Sequence, residues 1–111
     1  MAAMRSVLGE DVLFSVDTPL SCRVSVTRSR WTLITTAKHP VMAGRDADIR
    51  GALEHPEQIR QSKRDPGVYL FYRAKGRRWI CAVVKRLDGE AFLITAYPTD
   101  AIKEGLRIWP A

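Results

Sequence analysis

The sequence predicts an α+β domain in which short helices pack on one face of a four-stranded antiparallel sheet, with an added N-terminal β-hairpin. Two apolar runs, 79–84 and 91–96, are rich in β-branched and aromatic residues and flank the hairpin turn pair Asp88-Gly89. Two segments with helical spacing precede these strands instead of alternating with them, which favours helices grouped on one side of a sheet. With 111 residues, of which 46% are hydrophobic, the chain is long enough for one modest core. We therefore interpret residues 1–111 as a single domain, with 1–9 as a loose tail.

The added hairpin comes from residues 12–16 and 22–27, which alternate apolar and polar side chains around a turn-like cluster at 17–20. Cys22 and Cys81 both fall in predicted strands and have no metal-binding spacing. We interpret them as small core residues in a reducing cytosol, which predicts a cytoplasmic protein.

The first predicted helix lies within residues 27–38, where Thr27 or Ser29 is a candidate N-cap. The Thr-rich middle of this segment fits a strand equally well by propensity. We prefer a helix because Pro40 disfavours the helical conformation at His39 and so provides a stop. The second helix runs from about 46 to 54, with apolar residues at positions 49, 52 and 53.

The rest of the chain predicts the main strands and one more helix. Residues 56–62 form either a helical turn or a short strand, and the sequence leaves both open. A strand at 68–73 follows the turn at 63–67, and the central hairpin comes next. Residues 99–105 predict a short helix that Thr99 caps and Gly105 ends. The tail at 106–110 is expected to pack on the body through Ile108 and Trp109.

Strand periodicity gives each strand of the central hairpin one purely apolar face and one mixed face. The mixed faces are formed by Trp79, Cys81, Val83 and Lys85 in the first strand and by Leu93, Thr95 and Tyr97 in the second. Both end in groups that can donate protons or hydrogen bonds. Whether Lys85 shares a face with Thr95 depends on a register that the sequence leaves open.

Positive charge is concentrated in residues 66–86, which contain six basic and no acidic side chains in a chain of net charge +6. A patch of this kind attracts phosphates. We therefore predict nucleic-acid-binding roles for Arg73, Lys75, Arg77, Arg78 and Arg86. The alternative is a solvated turn at 73–78 that protects a sheet edge, and the sequence weighs the two equally.

No metal, cofactor or membrane site is expected. Asp46 and Asp48 are isolated and suit a helix N-terminus better than a cation site. The sequence contains no Gly-rich phosphate loop and no Gly-x-Ser-x-Gly motif. No apolar run approaches the ~20 residues that span a bilayer.

Five blocks occur in a recognisable order, namely RWTLITTAKHPVM (30–42), IRGALEHPEQIRQS (49–62), VYLFYR (68–73), WICAVVKR (79–86) and FLITAYPTDAIKEG (92–105). This order resembles the small phage-associated members of the barnase–EndoU–colicin–RelE-like superfamily. Their pattern is a Trp-bearing helix ending in His-Pro, a second helix ending near Pro-(Asp/Glu)-x-Ile, and strands closing on Thr-Ala-Tyr or Thr-Ala-Phe. The resemblance covers about residues 22–104. The order of the blocks is fairly specific, whereas no single block is.

The resemblance implies an RNA-directed, metal-independent endoribonuclease-like domain, toxin-like if an antitoxin partner exists. Metal-free cleavage needs a base for the ribose 2′-OH, an acid for the leaving 5′-oxygen and donors for the phosphorane charge. His39 is the candidate base or acid because an imidazole titrates near neutral pH. Lys85, Thr95 and Tyr97 are the other candidate catalytic residues.

Two alternatives stay open beside this prediction. The chain can be a non-catalytic module of the same fold that binds nucleic acid or a partner protein, since some superfamily members have lost catalysis. His39 can also be a structural helix end whose imidazole caps carbonyls. His55 has the same His-Pro setting, and we interpret it as an exposed helix end.

Overall fold

The computed structural model describes residues 11–102 and 104–110. Over these residues the strands are β1 (Val12–Asp17), β2 (Arg23–Thr27), β3 (Gln58–Gln61), β4 (Val68–Lys75), β5 (Arg78–Leu87), β6 (Glu90–Thr99) and β7 (Leu106–Trp109). The helices are α1 (Arg28–Leu33), which continues as a π-helical turn at Ile34–Lys38, and α2 (Asp46–Glu54), with a 3₁₀ turn at Pro40–Met42 between them. The predicted loose tail at 1–9 lies outside the described residues.

These strands form one mixed sheet in the order β1-β2-β6-β5-β4-β3-β7. The predicted four-stranded antiparallel sheet with helices on one face is therefore wrong. In the described part of the chain the sheet has seven strands, and only two short α-helices accompany it. The N-terminal hairpin joins through β2, which pairs in parallel with β6, while β3 and β7 extend the other edge. These pairings connect segments far apart in the chain, so strand propensity does not reveal them.

Local signals predicted several elements correctly. The N-terminal hairpin is β1 and β2, and the second predicted helix is α2. Asp88 and Gly89 join β5 to β6 with φ angles of 48° and 89°. A type I′ turn requires positive φ at both central residues, which is why Asp-Gly favours this hairpin. For residues 56–62 the strand alternative is the one observed, as β3.

The first helix forms as predicted but widens before its end. The side chain of Thr27 accepts a hydrogen bond from the Arg30 backbone N–H at 3.2 Å, so Thr27 is the N-cap. Further along, the Thr36 hydroxyl donates to the Thr32 carbonyl at 2.6 Å. Such bonds from Thr to the preceding turn loosen α-helical geometry, and the segment continues as the π turn. It ends at His39, before the proline, as the sequence predicts.

The two faces of the sheet bury different groups. The helix face, on which α1, α2 and the 3₁₀ turn pack, forms the main core around Ile34, Met42, Ile49, Leu53, Ile59, Phe71, Ile80, Ala82 and Val84. The opposite face, here called the crossover face, contains a smaller buried cluster of Leu70, Tyr72 and Cys81. Both faces of the central strands are therefore covered.

The predicted helix at 99–105 is wrong. Thr99 pairs with Trp79 in the sheet, and its hydroxyl donates to the Ala101 carbonyl at 3.2 Å. Thr99 thus extends β6 instead of capping a helix. The described residues that follow are irregular, and Ile102 packs against the buried cluster of the crossover face. The connection from β6 to β7 therefore passes over this face of the sheet.

The end of this crossover is held by Arg60. Its guanidinium donates to the carbonyls of Glu104 and Gly105 at 2.8 and 2.9 Å. The chain then enters β7, which pairs with β3. Ile108 and Trp109 pack against the main core, which confirms the prediction for the tail.

Replacing Gly105 with alanine is expected to lower the free energy of unfolding by about 2–3 kcal/mol. Gly105 has a φ of 80°, and an added Cβ meets the Gln61 carbonyl oxygen at 2.6 Å. Backbone strain and a clash with β3 therefore add together. Gly76→Ala is the matched control, because Gly76 has a φ of 63° and nothing within 4 Å of the added Cβ. Urea unfolding measures the free energy of unfolding of both variants. Equal decreases in the two variants would contradict the close packing at Gly105.

Candidate functional site

One long edge of β6 is shared between a strand and a helix. β2 pairs with β6 only at Ala91 and Phe92, among the described residues, and the chain then leaves the sheet to form α1. The Arg30 side chain donates from Nη1 to the Ile94 carbonyl of β6 at 3.3 Å. The helical segment 28–38 therefore lies beside the edge of β6 that β2 leaves uncovered.

His39 follows this segment and reaches β6. The His39 imidazole and the Tyr97 ring have centroids 5.3 Å apart and planes inclined at 42°. The His39 backbone is held on both sides, because its N–H donates to the Ile34 carbonyl at 2.7 Å and its carbonyl accepts from the Met42 N–H at 2.9 Å. The side chain is half-buried. The structure thus brings together His39 and Tyr97, two of the four predicted catalytic residues.

Tyr97 belongs to a row of three protic side chains on the crossover face. Strand register places Tyr72, Cys81 and Tyr97 opposite one another on β4, β5 and β6. The Cys81 thiol interacts with the hydroxyls of both tyrosines. Burial raises the pKa of the Cys81 thiol to about 12. Burial, and then the neighbouring Cys81, also raises the pKa of each tyrosine hydroxyl above its ordinary value.

The environment of Tyr97 in this row limits the chemistry of its hydroxyl. Because its pKa is raised, the hydroxyl stays protonated, and it is already engaged with Cys81. The ring, by contrast, faces His39. Tyr97 is therefore suited to positioning the imidazole and is poorly suited to transferring a proton itself.

Thr95 lies on the same face as Tyr97, as strand periodicity predicts, and pairs with Val83. Its hydroxyl oxygen is buried and has no hydrogen-bond partner in the part of the chain that the structure describes. Leu93 does not share this face, because a register shift between Val83 and Val84 leaves Ile94 as the extra residue of a bulge. Leu93 instead joins the main core, which corrects the prediction that it lies beside Thr95.

Lys85 lies apart from His39. It is four residues from Cys81 along β5, a distance of about 13 Å at ~3.3 Å per residue. Its ammonium contacts the Asp65 carboxylate at 2.5 Å. The hydrogen bond from Lys85 lowers the pKa of Asp65 below its ordinary value. The structure therefore does not bring Lys85 into the predicted cluster.

Half of the six basic side chains of segment 66–86 pair with carboxylates from elsewhere in the chain. Lys75 pairs with Asp48 of α2 at 3.3 Å, and Arg78 pairs with Asp100 at 2.9 Å. Arg73 donates to the His55 carbonyl, and Arg86 lies 5.6 Å from the centre of the Tyr69 ring. Arg77 is exposed and has no ion pair among residues 11–102 and 104–110. The nucleic-acid-binding roles of these five residues remain a prediction.

A second basic stretch was missed at the sequence level. Residues 18–45 contain five basic side chains and no acidic one. Three of them pair with carboxylates, namely Arg23, Arg28 and Arg45. The other two, Arg30 and Lys38, have no carboxylate partner in the described ranges. They lie near the two ends of the helical segment that precedes His39. The sequence signal that points to Arg30 and Lys38 is the absence of acidic residues between Asp17 and Asp46.

Over the described ranges, no three His, Cys, Asp or Glu side chains are arranged to hold a metal ion. No described helix is long and apolar enough to cross a bilayer.

No family model, curated protein or solved structure matches this chain. The family resemblance of the five sequence blocks therefore remains a prediction, and the site has to be interpreted from its own geometry.

The geometry leaves one proton-transfer group among the four predicted catalytic residues. The Tyr97 hydroxyl is engaged with Cys81, the Thr95 hydroxyl is buried, and Lys85 is paired with Asp65. His39 is half-buried, held at its backbone and oriented by an aromatic ring. An imidazole can act as a general acid or as a general base.

Proposed function

We propose that this protein binds RNA along the helical segment 28–38 and cleaves it at His39 without a metal ion. The observation that supports this most is the His39 imidazole resting against Tyr97. It lies at the end of a segment whose Arg30 and Lys38 have no carboxylate partner in the described chain. Unneutralised cations attract the phosphate backbone, and a histidine beside them supplies the proton chemistry.

The reaction that fits this arrangement is attack of a ribose 2′-oxygen on the adjacent phosphate. The 2′-OH gives up its proton to a base, a 2′,3′-cyclic phosphate forms, and the bond to the 5′-oxygen breaks as that oxygen takes up a proton. His39 serves one of these two proton transfers. Tyr97 is a positioning residue that orients the imidazole through its ring. Arg30 and Lys38 attract phosphates of the bound RNA along the segment that leads to His39.

A second candidate function is RNA binding, or binding of a partner protein, without cleavage. The observation in its favour is that Lys85 and the Tyr97 hydroxyl, two further groups predicted for catalysis, are both engaged within the protein. A cytoplasmic location is part of the proposal and rests on the two free cysteines, Cys22 and Cys81. A toxin role would follow from cleavage only if an antitoxin partner exists.

The two candidates are separated by an RNA cleavage assay in EDTA. Purified protein is incubated with a labelled single-stranded RNA and with the DNA of the same sequence. Cleavage of the RNA alone, with 2′,3′-cyclic phosphate ends, is the expected result, because DNA lacks the attacking 2′-OH. Intact RNA at every protein concentration, with binding retained, would favour the non-catalytic module.

A further inference from the structure

A cavity of about 260 Å³ opens where β2, the start of α1 and β6 meet. Its lining combines the polar side chains of Ser25, Thr27 and Arg30 with apolar residues that include Phe92. Ser25 and Phe92 are register partners in the parallel pair of β2 and β6, so they lie on the same face of the sheet. The cavity is smaller than the ~300–1,000 Å³ of drug-sized pockets. Its size suits one nucleotide unit of a longer chain.

Arg30 gives the cavity an available positive charge. Its Nη1 donates to the Ile94 carbonyl at 3.3 Å, which holds the guanidinium beside β6. A guanidinium has five N–H donors, so this bond leaves others for a ligand. No carboxylate pairs with Arg30 in the described ranges. A planar, unneutralised guanidinium in a cavity is well suited to bind a phosphate.

The hydroxyls beside Arg30 are ordered by contacts within the protein. Ser25 and Ser15 hydroxyl oxygens lie 3.1 Å apart, and Thr27 Oγ1 accepts from the Arg30 backbone N–H at 3.2 Å. An ordered hydroxyl keeps further hydrogen-bonding capacity, because each has one hydrogen and two lone pairs. These groups therefore present fixed polar contacts for a phosphate or ribose.

Phe92 is the aromatic residue of the cavity, which Leu33 and Leu93 also line. It is half-buried, and lies on the face of the sheet opposite Leu93 and Ala91, which pack into the main core. Single-stranded RNA is commonly recognised by stacking of unpaired bases on exposed aromatic rings. A guanidinium and an aromatic ring that line one cavity match the phosphate and the base of the same nucleotide.

We propose that this cavity is a nucleotide subsite for single-stranded RNA, with Arg30 on a phosphate and Phe92 against a base. The inference rests on the proposed function for the identity of the ligand. Phe92 and Tyr97 are five positions apart on β6, about 17 Å at ~3.4 Å per residue. One nucleotide cannot fill the cavity and reach His39. The subsite therefore favours oligonucleotides over mononucleotides.

Fluorescence anisotropy with an uncleavable probe tests this subsite independently of catalysis. The probe is a fluorescein-labelled 2′-O-methyl RNA of eight nucleotides, titrated in EDTA. Arg30→Gln is expected to weaken binding roughly tenfold or more, as loss of hydrogen bonds to a charged group predicts. Phe92→Leu is expected to weaken it roughly fivefold or more through lost stacking. Arg30→Gln is also expected to lower the salt dependence of binding, with a slope smaller by about 0.7.

Two control variants make the result specific. Arg23→Gln removes the same charge from β2, from a side chain that is paired with Asp17 and lies outside both the cavity and the segment 28–38. It is expected to leave affinity within twofold of wild type. Arg77→Glu with Arg78→Glu tests the other basic segment, and a loss confined to this double variant would overturn the subsite. Melting temperatures check that each variant is folded, and Arg30→Lys, which keeps the charge, is expected to bind with intermediate affinity.

The outcomes separate the subsite from the proposed function. Wild-type affinity in both Arg30→Gln and Phe92→Leu would overturn the subsite and leave cleavage at His39 standing. Intact RNA in the cleavage assay, with binding that depends on Arg30 and Phe92, would overturn the cleavage and support the subsite. Absence of binding by the wild-type protein would overturn the subsite as well.

Discussion

Replacing His39 with alanine is expected to lower the rate of RNA cleavage by about 100- to 10,000-fold, the usual contribution of a positioned acid or base. Within the part of the chain that the structure describes, the imidazole is the one group of the predicted catalytic set that has neither a buried polar atom, an ion pair nor an interaction with Cys81. Affinity for an uncleavable RNA is expected to change much less, because in the proposed complex Arg30 and Lys38 supply most of the attraction. The measurement is the single-turnover cleavage rate in EDTA, with binding followed in parallel.

His55→Ala is the matched control for this experiment. His55 also precedes a proline at the end of a helix, but it is exposed and follows α2, on a different part of the fold. Its removal is expected to leave cleavage unchanged. A rate for His39→Ala close to that of wild type would remove His39 from the chemistry, and equal losses in both variants would indicate a general structural effect.

Alkaline pH is expected to destabilise the folded protein, beginning near pH 9. The Cys81 thiol has an ordinary pKa of 9.0 in the unfolded chain, and burial raises its pKa in the folded protein to about 12. Above pH 9 the unfolded state therefore holds fewer protons than the folded state, and the free energy of unfolding falls as pH rises. At ~1.4 kcal/mol per unit, Cys81 alone removes about 4 kcal/mol by pH 12. Below pH 9 this contribution is fully present.

The two tyrosines make the fall steeper at higher pH. Tyr72 and Tyr97 have an ordinary pKa of 10.0, and in the fold their pKa values are raised by burial and by Cys81. Their contribution to stability is also lost as the pH rises above 10. The free energy of unfolding is therefore expected to fall more steeply with pH in that range. Glu104 acts in the same sense on all three groups, because its negative charge disfavours their ionised forms.

Urea unfolding at pH 7, 9, 10 and 11 under reducing conditions measures this dependence. Cys81→Ser is expected to lose the fall between pH 9 and 10, whereas Cys22→Ser, in the half-buried cysteine before β2, is expected to keep it. A stability that stays level to pH 11 would contradict the buried, neutral state of the three groups. If the free energy of unfolding of Cys81→Ser falls by the same amount, the fall does not come from ionisation of Cys81.

The candidate site was predictable in part. The His-Pro pair indicated a helix stop, and strand periodicity put Thr95 and Tyr97 on one face, as observed. Leu93 was misplaced because the bulge at Ile94 reverses the alternation, and a bulge has no sequence signal here. The role of Tyr97 was also not visible, since it depends on Cys81 lying opposite it. Arg30 was missed because charge was compared over segments that also contained the acidic residues of the N-terminal part.

The basic segment illustrates the same difficulty with electrostatics. Six basic residues without an acidic neighbour in sequence predicted a strong positive patch. The fold brings Asp48, Asp65 and Asp100 to three of them. The net charge counted over a sequence segment therefore overestimates the local positive charge on the folded surface, since ion pairs form between residues that are distant in sequence.

What the sequence determined by itself is the set of local structures: the turn at Asp88-Gly89, the cap at Thr27, the stop before Pro40 and the helix at 46–54. These depend on backbone preferences within a few residues, which a sequence states directly. Only the tertiary structure decided the parallel contact of β2 with β6, the addition of β7 and the crossover that covers Cys81. Each of these is a contact between distant segments, and its free energy comes from burial and pairing that no single segment encodes.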